Sequence, residues 1–296
     1  MHVFVTGATG FIGSAIVQEL LSHGHRVTGL ARSEAGVQAL SAAGAAAHRG
    51  DLTDLDSLKR GAAAADAVIH TAFNHDFSRF AASCEDDRHI VTALGEALAG
   101  SDRRLVVTSG TALVAAGRPF AKETDTPSPH HPRVASEQAA AALVERGVNV
   151  SVVRLPPSVH GEGDHGFVPL LIDLARRKGL AAHVGDGSNR WPAVHRLDAA
   201  ALFRLVAENG RAGASYHGAA ETGLAFADLT AIIGRRLGLL TQGLTGEALA
   251  AHFGWFEKFA AMDNPTSSEA TRRELGWNPQ HTGLLADVDQ PAYFSS

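Results

Sequence analysis

The sequence predicts an α/β fold, a parallel β-sheet doubly wound by helices on both faces, with a smaller C-terminal lobe. Three observations predict it: an apolar run ending in three glycines at the start of the chain, alternating strand-like and helix-like segments as far as residue 155, and loss of that alternation beyond it.

The first strand is His2-Val3-Phe4-Val5-Thr6, followed by Gly7-Ala8-Thr9-Gly10-Phe11-Ile12-Gly13. Each glycine has a physical purpose. Gly7 permits a tight strand-to-helix turn, Gly10 lets backbone approach phosphate oxygens, and Gly13 lets the helix pack closely on the sheet while its N-terminus faces the anion. Ile12, Ile16, Val17, Leu20 and Leu21 recur at helical spacing and predict a helix over 11–23. Gly24 stops it before a second strand at 27–30. This is a dinucleotide-binding turn of Rossmann type, lined by Gly7, Thr9, Gly10, Phe11, Ile12 and Gly13.

Further helices are expected over 33–43, 55–63, within 77–98 and over 134–146, and strands over 45–49, 67–70, 105–108 and 150–154. Repeated βα units imply parallel strands joined by right-handed crossovers, so 1–155 is the dinucleotide-binding domain. Past Leu155, Pro156-Pro157, Gly161-Glu162-Gly163-Asp164 and Gly185-Asp186-Gly187-Ser188 break up shorter elements. Residues 156–296 are therefore read mainly as a substrate-binding lobe, with segments free to return to the core. Phe253, Trp255, Phe256 and Phe259 follow helical spacing, the pattern of a packed lobe or subunit contact. Exposed around a cleft, they would favour an apolar substrate.

Composition narrows the partners. A net charge of −5 with no Lys/Arg block disfavours nucleic acid and anionic membranes. No apolar run reaches the ~18 residues of a membrane helix, and the chain begins on a core strand rather than a leader. Cys84 is the single cysteine and cannot form an internal disulfide. A soluble cytoplasmic protein acting on a small molecule is expected. The sequence lacks HExxH, a cysteine pair and any closely spaced His/Asp/Glu set that fits a metal-ligand template, which argues against a metal, and lacks GxSxG, which argues against a serine esterase.

Cofactor choice is read at the end of the second strand. An acid there would bind a free ribose 2′-hydroxyl, but the chain has Leu30-Ala31-Arg32-Ser33. Arginine beside a hydroxyl suits a 2′-phosphate, so NADP is favoured and NAD is the alternative.

Taken together, the motifs resemble the short-chain dehydrogenase/reductase superfamily, in particular its extended and atypical members such as the NAD-dependent epimerase/dehydratase-like proteins. The resemblance covers nearly the whole chain and rests on TGATGFIG at 6–13, GDLTD at 50–54, VIHTA at 68–72, VTSGT at 107–111, VVRLPPSVHG at 152–161 and GDGSNRWPAVHRLD at 185–198. It implies that Asp51, followed by Leu52, contacts the adenine, that Thr71, Ala72 and Phe73 border the ribose and nicotinamide, and that the protein is a homodimer.

The departure from the family lies in the catalytic helix. Aligning the family's serine with Ser136 puts Arg133 where its tyrosine acid/base belongs and Glu137 where its lysine belongs. Losing a positioned acid/base costs on the order of 10² to 10⁴ in rate but spares binding and hydride alignment. Alcohol oxidation suffers most, so reduction of a small carbonyl-type or related unsaturated substrate is preferred. Candidate replacements are the hydroxyls of Ser109 and Thr111, with Gly110 open to fall at the family's serine position. Arg133 is a candidate oxyanion donor, and Glu137 a ribose ligand or base. His160 and His195 lie in segments that border the cleft in relatives, and His75 follows the fourth strand. Two other readings stand: a dinucleotide-binding sensor or partner-binding protein without catalysis, and an epimerase/dehydratase-like isomerase or lyase.

Overall fold

The computed structural model describes residues 1–114 and 119–295. Its centre is a seven-stranded parallel sheet built from β1 (His2–Thr6), β2 (Arg26–Ala31), β3 (Ala46–Arg49), β4 (Ala67–His70), β5 (Arg104–Gly110), β6 (Asn149–Leu155) and, from far along the chain, a strand at Ser215–His217. The helices between them are α1 (Phe11–Ser22), α2 (Glu34–Ala42), α3 (Leu55–Ala63), α4 (Phe80–Glu96) and α5 (Val134–Glu145). Spatial order places β1 between β2 and β4, so the strand order reverses at β1 while all strands stay parallel. In such sheets ligands sit outside the carboxyl ends of the strands at that reversal.

Beyond β6 come β7 (Ser158–His160), α6 (Phe167–Lys178), β8 (Ala181–Val184), β9 (Arg190–His195) and α7 (Arg196–Asn209). The seventh strand of the main sheet is β10 (Ser215–His217), paired with β6. After it come β11 (Glu221–Ala225), α8 (Phe226–Leu237), β12 (Thr241–Leu244), α9 (Gly246–Phe253), α10 (Glu257–Ala260), α11 (Glu269–Leu275) and α12 (Leu284–Val288). β11, β9 and β7 form a separate three-stranded sheet and β12 pairs with β8. Elements past residue 155 thus join the core: β10 extends the sheet, and Phe203 and Val206 of α7 and Val194 of β9 share one buried cluster with Ile16 and Leu20 of α1. The lobe has its own core around Trp191, Phe226 and Phe256.

The helix expected within 77–98 is α4, preceded by a 3₁₀ turn, Phe77–Arg79, where the Asp76 side chain accepts the Ser78 N–H. One segment differs from the sequence reading. The helical run of aromatics from Phe253 is broken at Gly254, where φ is +54°, and resumes as a short 3₁₀ turn and α10.

The turn after β1 is built as its glycines require. Gly7 has φ +69° and its carbonyl accepts the Gly10 N–H at 2.9 Å. A Cβ on Gly13 would lie 1.9 Å from the Gly7 oxygen, so this backbone contact admits no side chain. Among the described residues no helix is long and apolar enough to cross a membrane, and no group of His, Cys, Asp and Glu is arranged to hold a metal.

Candidate active site

The glycine cradle fits a dinucleotide's phosphates. No side chain caps the start of α1 and no acid lies in its first turn, so the first N–H groups and the positive helix end are left for an anion. Thr71 and Ala72 lie directly over Gly7, where an added Cβ would meet Ala72 N and Thr71 Oγ1 at 2.8 Å. Thr71 is fastened there by donating to the Thr6 carbonyl at 2.8 Å. Thr9 sits against the start of α2 near Gly36, and Ile12 packs on the core.

In the loop after β3, Asp51 Oδ1 accepts the Thr53 N–H and hydroxyl, which hold its carboxyl below the usual range. The Arg32 charge lowers it further. Among the described residues no hydrogen bond or ion pair occupies Arg32. Ser33 caps α2 by accepting the Gly36 N–H, and Leu52 packs on the apolar cluster around Leu30 and Leu58.

Where the family carries tyrosine and lysine, the structure has two neutralised, largely buried ion pairs. Arg133, the N-cap residue of α5, donates from Nη1 to Asp87 Oδ2 at 2.6 Å and from Nη2 to the Thr108 carbonyl at 3.0 Å. The Ser136 hydroxyl also bonds Asp87. The other Asp87 oxygen meets His70 Nε2 at 2.8 Å, and His70 Nδ1 meets Thr6 Oγ1 at 2.7 Å. A polar chain therefore runs through the core from the dinucleotide turn to Arg133. Burial alone would raise the Asp87 carboxyl, but His70, Arg133 and Ser136 hold it well below the usual carboxylate range.

The second pair is Glu137 with Arg154. Arg154 Nε and Nη2 donate to the two carboxylate oxygens at 2.9 and 2.8 Å in a bidentate fork. Ser109 donates to Glu137 Oε1 at 2.6 Å. This convergence follows from register: Ser109 and Arg154 are partners on adjacent β5 and β6, and both reach up to the same turn of α5. Arg154 Nη1 continues to the Glu123 carbonyl and to His217 Nε2.

The remaining candidates lie elsewhere. Thr111 is fully buried and accepts from Asn264 at 2.8 Å, which ties the end of β5 to the lobe. His160 is fully buried against Asp287 at 2.8 Å, and its ring meets His195 edge-on. His195 stacks on His281, and its Nδ1 caps α7. His160 and His195 line a cavity of about 260 Å³ with Asp198, Glu221 and Arg272, and none of Ser109, Thr111, Arg133 or Glu137 lines it. The six candidate catalytic side chains are thus divided among side-chain networks that share no residue. Beside Arg133, desolvation and its positive charge lower the pKa of both His75 and His131.

Sequence reasoning missed Asp87 and Arg154. A signal for Arg154 was present, since an arginine inside the apolar strand 150–155 demands a buried acid.

Burial of His217 gives the network a pH signature. Desolvation holds its pKa down at about 4, against an ordinary value near 6.5. The folded state therefore favours the neutral ring. That contribution is complete above about pH 6.5 and is lost as pH falls toward 4, where the unfolded chain takes a proton that the folded one refuses. Urea unfolding between pH 7.5 and 4 should lose on the order of 3 kcal/mol from this group. His217→Gln should flatten that slope, and an unchanged slope would contradict the assignment.

Comparison with known proteins agrees with the turn and the sheet. The model of the NAD dependent epimerase/dehydratase family matches residues 3–218. The "uncharacterized protein C2A9.02" of Schizosaccharomyces pombe is 46% identical over 295 residues, covering 99% of this chain and 100% of that protein. A 4-hydroxy-2-methyl-3-oxo-4-farnesyl-3,4-dihydroquinoline-1-oxide ketoreductase of Stigmatella aurantiaca is 31% identical over 228 residues, 73% of this chain and 67% of the relative. In fold, the chain is similar to a dTDP-glucose 4,6-dehydratase of Streptomyces venezuelae crystallised with NAD, with TM-score 0.78 and 22% identity over 100% of this chain and 97% of that one. With its glycine cradle, its parallel sheet whose strand order reverses at β1 and this breadth of similarity, the chain belongs to the NAD dependent epimerase/dehydratase family of the short-chain dehydrogenase/reductase superfamily.

Proposed function

We propose that the protein is an NADP-dependent reductase of a small, apolar carbonyl compound or related unsaturated substrate. The observation that carries this reading is the internal engagement of Arg133, Glu137 and Ser109 beside an open glycine cradle. Taking a proton from an alcohol needs a free base at that position, and Glu137 is already held by three hydrogen bonds. A reduced nicotinamide, when bound, supplies a hydride. The chain's own residues then need only hold an activated carbonyl and deliver a proton. His75 and His131 are the imidazoles beside Arg133 through which that proton reaches the cleft.

Apolar character is supported by an aromatic wall that starts at Arg133. Its guanidinium lies 4.3 Å from the Phe73 ring centroid, Phe73 meets Phe80, and Phe80 stacks on Phe77. Phe77 stacks on Trp255 of the lobe at 5.0 Å, with Phe167 and Phe259 around it. Trp255, which also meets Phe256 and Phe259, remains 55% exposed, a large apolar area beside the cleft. The reductase activity of the Stigmatella aurantiaca relative supports the same direction of chemistry.

The test is NADPH and NADH oxidation against panels of aldehydes, ketones, imines and enones. Turnover that falls as the substrate becomes more polar is the expected result. Tight dinucleotide binding without turnover on any panel would favour the sensor reading. Arg32→Ala should weaken NADPH by about tenfold to a hundredfold and NADH by less than threefold, since a charge-assisted contact is worth roughly 1.5–3 kcal/mol. Equal losses would refute the 2′-phosphate contact.

A further inference from the structure

The glycine turn supplies only backbone donors to a group carrying two negative charges, and a cation from the other half of the chain stands next to it. Arg196, the first residue of α7, places its guanidinium 5.1 Å from the ring centroid of Phe11, the first residue of α1. Its Nη1 donates to the Glu162 carbonyl at 2.9 Å. Among the described residues no carboxylate pairs with it, unlike Arg133, Arg154, Arg190, Arg204 and Arg211. A guanidinium held by one carbonyl and an aromatic face keeps donors and charge for an anion.

The segment 161–166 is shaped around this arginine. Gly161 has φ +134°, and a Cβ there would meet the Arg196 side chain at 3.2 Å. The Gly161 N–H donates to the Tyr293 hydroxyl at 3.1 Å, and that hydroxyl reaches Asp164 at 3.3 Å, so the end of the chain clasps the segment. His165 lies edge-on to Phe11 at 5.6 Å. The segment is thereby laid across the start of α1.

We propose that Arg196 is a ligand of the dinucleotide's pyrophosphate, presented over Phe11 and held in place by the 161–166 strap. The proposal rests on the reading of the 7–13 turn as a dinucleotide site. The pyrophosphate would be neutralised by the helix end and backbone N–H groups from below and by a guanidinium from above. Arg196 therefore serves NADPH and NADH alike, in contrast to Arg32, whose contact distinguishes them.

Calorimetric titration of NADPH, NADH, ADP and adenosine into the wild-type protein and Arg196→Ala tests this. The expected result is a tenfold to hundredfold loss for the three pyrophosphate-bearing probes, equal within threefold among them, and no loss for adenosine. Arg196→Lys, which keeps the charge, should retain more affinity than Arg196→Ala and show steeper weakening with salt. If Arg196→Ala fails to fold, Arg196→Lys against wild type carries the test, and identical affinities at both low and high salt overturn the proposal. Affinity of Arg196→Ala within twofold of wild type, or equal losses for ADP and adenosine, also overturns it. Wild-type protein that binds none of the nucleotides removes the dinucleotide reading itself.

Discussion

Replacing Glu137 with alanine is expected to destabilise the protein by about 3–5 kcal/mol, because it leaves the Arg154 charge buried without its acid. Arg154 is 2% exposed and commits two of its donors to Glu137. The variant also strands the Ser109 hydroxyl, which has Glu137 as its acceptor. The loss should appear in urea unfolding as a lower midpoint at unchanged slope. Glu137→Leu combined with Arg154→Met removes both charges and fills similar volume, so it should recover most of the stability. A loss below about 1 kcal/mol for Glu137→Ala would show that the pair is not buried as described.

The larger effect is expected from rebuilding the family's catalytic pair. Arg133→Tyr with Glu137→Lys would give the helix its usual residues, yet the introduced ammonium would stand against Arg154 where a carboxylate now sits. The introduced phenol would leave Asp87 without its guanidinium partner, in a buried site that its carboxyl shares with His70 and Ser136. Two buried mismatches of this kind exceed about 5 kcal/mol, comparable with the whole stability of many domains. The double variant should therefore be largely unfolded at room temperature by circular dichroism. Adding Asp87→Asn and Arg154→Leu should return it to a folded state. A double variant with the wild-type unfolding midpoint would contradict the argument that Asp87 and Arg154 fix the identities at 133 and 137.

The parts of the fold legible in the sequence were those governed by local constraints. Gly7 and Gly13 are demanded by a positive φ and a 1.9 Å approach, both within one short turn of chain. Apolar periodicity located the core strands, although β5 extends to Gly110 and carries Ser109 within the ladder. What local pattern could not reveal was long-range pairing. Asp87 meets Arg133 across 46 residues, and Arg154 meets Glu137 only because β5, β6 and α5 stack in one register. The histidines show the same limit: His160 and His195 end β7 and β9, which belong to a separate sheet and carry them to a cavity that Ser109, Thr111, Arg133 and Glu137 do not line. Thr111 likewise follows β5, yet its hydroxyl turns to Asn264, 153 residues away.

The most direct test of the whole account is calorimetric titration of NADPH into the wild-type protein and into Gly13→Ala. One saturable site per chain is predicted for the wild type. Its loss is predicted in the variant, where the added Cβ would displace the Gly7 carbonyl and open the turn. A wild-type protein silent toward NADPH and NADH, or a folded Gly13→Ala that binds them unchanged, would contradict it.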